Sequence, residues 1–145
     1  MNTKIKNFSK ILLLAITILV ISATASCSKD EETPVAKPNF QIIGYYVGKY
    51  GIGTVTPDRG FSMVVEAGNR VFVADGATLN GSVAGRGTYT LVNNVFNASY
   101  SYTGSSTAIN ITANYDPSTG KFSAGTYGSG TSTTGGGTWF LDRQN

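Results

Sequence analysis

From Phe40 onward the chain alternates apolar and polar positions in short runs separated by turn residues. A period of two marks strands that turn one face to a core. Phe40 to Tyr50 sets Ile42, Tyr46 and Tyr50 on one side, with Gly44 and Gly48 between them, which suits a strongly coiled first strand. Gly60 to Glu66 lines up Phe61, Met63 and Val65, and Ala67-Gly68-Asn69 turns it into Arg70 to Ala74. Asp75-Gly76 ends that strand, and Asn80-Gly81 marks another turn. Gly85 to Val92 leads through Asn93-Asn94 into Val95 to Tyr102, where Phe96, Ala98, Tyr100 and Tyr102 share a face. Thr107 to Tyr115 does the same with Ile109, Ile111, Ala113 and Tyr115. Asp116-Pro117-Ser118-Thr119-Gly120 has Pro suited to the first central position of a type I turn and Gly suited to the left-handed position that closes it. Lys121 to Tyr127, a Gly/Ser/Thr loop from Gly128 to Gly137, and Thr138 to Arg143 complete the run.

No helical stripe interrupts this pattern. About eight short strands joined mostly by hairpins predict an all-β domain over 40–145, an antiparallel meander. A sheet of this size can close, or nearly close, into a barrel, which removes its exposed edges. A β-sandwich is the alternative arrangement of the same strands.

The N-terminal segment has a different pattern. Lys4, Lys6 and Lys10 precede an aliphatic run from Ile11 to Ile21, and small residues from Ser22 to Ser26 lead to Cys27, the only cysteine. A basic start, a short apolar centre and a small-residue exit predict a secretory signal peptide over 1–26, helical and too short for a bilayer span of about 20 residues. Thr33 to Asn39 carries two prolines and no periodicity, so 27–39 reads as a disordered tether.

Thr24-Ala25-Ser26-Cys27 resembles the lipobox of bacterial lipoproteins, although Leu is missing three residues before the cysteine. That resemblance implies acylation of Cys27, palmitate included. Ser28-Lys29-Asp30-Glu31-Glu32 resembles the surface-export signal of Bacteroidetes lipoproteins. It implies a lipid-anchored protein on the outer membrane facing the cell exterior, with the periplasmic face as the alternative. Two or more acyl chains anchor stably where one is marginal, at about 0.8 kcal/mol per buried CH₂.

Charge is removed as an argument once the leader is set aside. The net +3 comes from its three lysines; from Cys27 onward eight Lys/Arg balance eight Asp/Glu. No basic patch survives, so nucleic acid is not an expected partner. Histidine is absent, which excludes the usual general base, zinc ligand and Ser-His or Cys-His pairs. Gly128 to Gly137 lacks the Lys-Ser/Thr and the helix that a phosphate loop needs. Asp58, Glu66, Asp75, Asp116 and Asp142 are the domain's carboxylates, and hydrolysis would need two of them facing across a cleft. No cofactor or metal is expected, and the domain reads as non-catalytic.

Its distinctive chemistry is aromatic: eight tyrosines and the one tryptophan all follow Cys27. Gly87-Thr88-Tyr89, Gly125-Thr126-Tyr127 and Gly137-Thr138-Trp139 repeat one phrase at unequal spacings. Tyr46, Tyr89, Tyr100 and Trp139 are the candidate ligand-binding residues, with core packing as the competing role. The Gly44-Tyr45-Tyr46 opening, the meander and the closing Gly137-Thr138-Trp139-Phe140-Leu141 resemble small lipocalin- or avidin-like barrels and barrel lipoproteins of Bacteroidetes. That resemblance implies a binding module for a small apolar ligand or a glycan. A structural, accessory or inhibitory partner of another envelope protein is the alternative.

Overall fold

The computed structural model describes residues 39–76 and 84–145. The expected signal helix, Cys27, nearly all of the tether and the Asn80-Gly81 turn lie outside them. Eight strands follow in order: β1 (Gly44–Tyr50), β2 (Arg59–Glu66), β3 (Arg70–Asp75), β4 (Gly85–Val92), β5 (Val95–Tyr102), β6 (Ala108–Asp116), β7 (Lys121–Ser129) and β8 (Gly137–Arg143). Each pairs antiparallel with the next, and β1 also pairs with β8 through Tyr46↔Arg143 to Tyr50↔Trp139. The sheet is therefore a closed barrel, not a sandwich. Among the described residues there is no helix.

Local chemistry sets the hairpins. Asn93 and Asn94 hold φ of 51° and 64° between β4 and β5, the left-handed pair that matches strand twist in a two-residue hairpin. Between β6 and β7 the Asp116 carboxylate accepts from the Ser118 amide (2.8 Å), the Ser118 hydroxyl (2.7 Å) and the Thr119 hydroxyl (2.8 Å). Those bonds, led by Ser118, hold its carboxyl below the ordinary aspartate range. Gly120 closes the turn at φ 68°.

Inward alternation fills the lumen. Met63, Val65, Val71, Val73, Phe96, Phe122 and Leu141 are at most 1% exposed. Phe122 is the hub: its ring centroid lies 4.8 Å from Tyr46, 4.9 Å from Phe96, 5.1 Å from Tyr115 and 5.8 Å from Trp139. An eight-stranded barrel is just wide enough for side chains to fill, and this one is filled. Glycines admit the large rings. At Gly48 a Cβ would collide with the Phe140 carbonyl, so β1 and β8 approach closely only because that side chain is missing. The Ser62 hydroxyl, on the face of β2 opposite Phe61 and Met63, is buried without a hydrogen-bond partner among the described residues.

One end is plugged. Phe40 to Ile43 does not extend the first strand as the alternation predicts; it crosses the barrel end where the β6–β7 turn lies. The Phe40 amide donates to the Pro117 carbonyl at 2.7 Å, and the Tyr115 hydroxyl donates to the Phe40 carbonyl at 2.9 Å. Arg143 Nη1 donates to the carbonyls of Gln41 (2.7 Å) and Ile43 (2.8 Å), and its guanidinium lies 5.6 Å from the Phe40 ring centroid. A charged donor and an aromatic face thus take the chain away from the β ladder.

Candidate ligand site at the open end of the barrel

In an antiparallel meander the odd-numbered strands run the same way, so their C-terminal ends meet at one rim. Inward positions near those ends are Tyr50 on β1, Asp75 on β3, Tyr102 on β5 and Tyr127 on β7. Together with Tyr100, Trp139, Phe61, Ile109 and Ile111 they line a cavity of about 90 Å³ in the mouth.

Tyr127 reaches this rim because β7 carries a bulge. Phe122 pairs with Leu141 and Gly125 with Trp139, so β7 advances three residues while β8 advances two. Ala124 takes φ 51° at that point. Strict alternation from Phe122 would turn Ala124 and Thr126 inward; the extra residue turns Gly125 and Tyr127 inward instead. Gly125 then makes room for the Trp139 indole, whose ring carbons would lie 2.5–2.6 Å from a Cβ there.

Neighbouring rings of the wall stand nearly at right angles. Tyr50 meets Phe61 at 74° and Tyr127 at 77°, while Tyr100 meets Tyr102 at 83°. Their polar ends are mostly committed. Tyr127 donates to the Gly51 carbonyl (3.1 Å), the Trp139 indole N–H to the Thr126 carbonyl (3.0 Å), and Tyr102 to Asp75 Oδ1 (2.9 Å). Burial pushes the Tyr100 hydroxyl up to about 12, a hydrogen bond with Tyr102 draws it back, and the Asp75 charge adds to the rise. Tyr102 is raised further, first by burial, then by Tyr100 and Asp75. Both remain neutral at ordinary pH, with Tyr102 a hydrogen-bond donor.

Of the four expected ligand residues, the fold brings two together. Tyr100 and Trp139 line the mouth. Tyr46 lies in the plugged half, with its hydroxyl donating to the Ile42 carbonyl at 2.6 Å and accepting from Arg143 at 3.3 Å. Burial, then Tyr115, raise its pKa well above the ordinary tyrosine value. Tyr89 stacks on Phe96 at 5.5 Å and is 9% exposed. Both act as core. Tyr50, Tyr102, Tyr127 and Asp75 complete the site. The signal for them is inward parity combined with a strand end; the sequence reading places Asp75 as a strand terminator and among the domain's carboxylates, not as part of a ligand site.

The other carboxylates are dispersed. Glu66 pairs with Arg70 (2.9 Å), Asp142 with Lys121 (3.0 Å), Asp116 caps its turn, and Asp58 is exposed. Among the described residues no three His, Cys, Asp or Glu gather to hold a metal. Beside the mouth, Ser129, Ser132, Thr134 and Gly136 border an open hollow of about 400 Å³ that shares Ile109 and Tyr127 with it. No protein-family model matches the chain, and no curated relative or solved structure is significantly similar to it.

Proposed function

We propose that the protein is a non-catalytic binding module, lipid-anchored to the outer membrane through Cys27, whose barrel mouth captures the end group of a small ligand. The aromatic mouth cavity carries this reading. Drug-sized ligands occupy roughly 300 Å³ or more, so the filled lumen leaves room for an end group only. The rest of such a ligand, an apolar chain or a glycan, would lie over the rim and the hydroxyl-bordered hollow beside it. The likeness to lipocalin- and avidin-type barrels belongs to the same proposal.

Trp139 is the only tryptophan and forms part of the wall, so its fluorescence reports on the mouth. Titrating the full-length chain with small organic ligands is expected to shift that emission, and Tyr127→Ala to abolish the shift. A panel that leaves the emission unchanged counts against capture at the mouth. Incorporation of labelled palmitate tests the anchor, and label retained by Cys27→Ala refutes it.

A second reading, an accessory partner of another envelope protein, is favoured by the packed interior. It also draws on exposed Leu91, Val92 and Val95 beside the β4–β5 turn. Co-purification lost on Val92→Ser with Val95→Ser would support it.

A further inference from the structure

The ligand end group can be narrowed to a chemical class, resting on the mouth reading above. A cavity of about 90 Å³ holds about three waters at roughly 30 Å³ each, which suits a head group of three or four heavy atoms. Its wall offers ring surface, while the tyrosine and indole donors of Tyr127, Trp139 and Tyr102 are spent on Gly51, Thr126 and Asp75. A sugar ring would need several free donors and acceptors. Beside the Tyr50 hydroxyl, which makes no hydrogen bond among the described residues, the free polar function of the lining is the second carboxylate oxygen of Asp75; it is the lining's one charged group, and the ion pairs among the described residues involve other acids. Tyr102 holds the first oxygen and fixes the carboxylate at the rim.

Aromatic rings set edge-to-face around a small cavity, with one anion at its edge, meet the requirements of a compact, weakly hydrated cation. Aromatic faces attract it through their quadrupoles, and the carboxylate supplies the counter-charge. We infer that the barrel mouth binds an alkylated ammonium head group, held against Tyr50, Tyr100, Tyr102, Tyr127 and Trp139 and paired with Asp75.

One nearby group opposes this. Arg59 lies at the mouth end of β2, close enough for its charge to act on Tyr127. It is exposed and outside the cavity lining, so it weakens the site's field without occupying it.

The test uses choline and its uncharged isostere, in which a tert-butyl group replaces the trimethylammonium, each titrated into the full-length chain by calorimetry. Choline is expected to bind at least about tenfold more tightly, the ratio set by a desolvated cation–π contact and one counter-ion. Asp75→Asn is expected to reduce choline affinity about fivefold or more and leave the isostere unchanged, whereas Arg59→Gln strengthens choline binding. A choline-containing phospholipid vesicle, run beside free choline, separates a membrane head group from a soluble amine as the source. Equal affinity for choline and the isostere, or indifference of choline to Asp75→Asn in a folded variant, overturns cation selectivity while leaving a binding mouth. Binding of neither molecule, and of nothing else in the fluorescence panel, removes both proposals.

Discussion

Truncating Phe122 tests whether the lumen is a core or a chamber. The ring is 1% exposed and meets Tyr46, Phe96, Tyr115 and Trp139 with centroids 4.8–5.8 Å apart. Burying such a side chain stabilises by about 1.5–3 kcal/mol, and each aromatic pair adds roughly 0.5–1.5 kcal/mol. The neighbours are held by closed strand ladders and relax only partly, so a cavity remains. Phe122→Ala should therefore cost about 4 kcal/mol, within the usual 3–5 kcal/mol for such losses. A domain of this size has roughly 5–15 kcal/mol in total. The expected result is a urea midpoint lowered in proportion with an unchanged slope, and a Tm lower by roughly 15–30 °C. Phe122→Leu, which keeps most of the volume, should cost less than half as much. In a ligand chamber the same truncation would merely widen an existing space. A loss below about 1 kcal/mol would refute the packed lumen and reopen ligand capture inside the barrel.

Three further outcomes follow from particular contacts. Ala124 sits at φ 51°, a left-handed conformation that costs an L-residue about 1–2 kcal/mol, so Ala124→Gly should raise stability by up to about 1 kcal/mol in the same urea titration; a decrease would place the bulge elsewhere. Tyr100, raised to about 12 against about 10 when unfolded, contributes stability that is complete below pH 10 and is lost as pH climbs from 10 towards 12. Its loss amounts to about 3 kcal/mol, and phenolate absorbance should develop together with unfolding; a native spectrum already showing full tyrosine ionisation at pH 11 contradicts this. Arg143→Ala removes charged hydrogen bonds to Gln41 and Ile43 worth about 1.5–3 kcal/mol. Amide exchange should accelerate at Phe40 and Gln144 but not at Gly51 or Gly53 beside the mouth, and an equal rise at both ends would dissolve the distinction between plug and mouth.

Much of the barrel was legible along the chain, because alternation and turn chemistry are local. Phe61, Met63 and Val65 had to share a face whatever their partners, and Asn93-Asn94 and Asp116 to Gly120 could hardly be anything but turns. The aromatic phrases beginning at Gly87 and Gly137 marked Tyr89 and Trp139 as core or ligand-contact residues without choosing between the two, and the barrel buries both. What alternation cannot supply is which strand ends face the same way in space. Tyr50, Asp75, Tyr102 and Tyr127 are far apart in sequence and meet only because the closed meander returns every second strand to one rim. Three local facts also needed partners to exist: the bulge at Ala124, which exchanges Thr126 for Tyr127 in the wall; the turn of Phe40 to Ile43 across the far end, imposed by Arg143 about a hundred residues later; and the close seat of Trp139 on Gly125. Covalent neighbours decided which residues point inward. The closed ladder decided which of them become core, and which are left around the mouth beside the exposed carboxylate of Asp75.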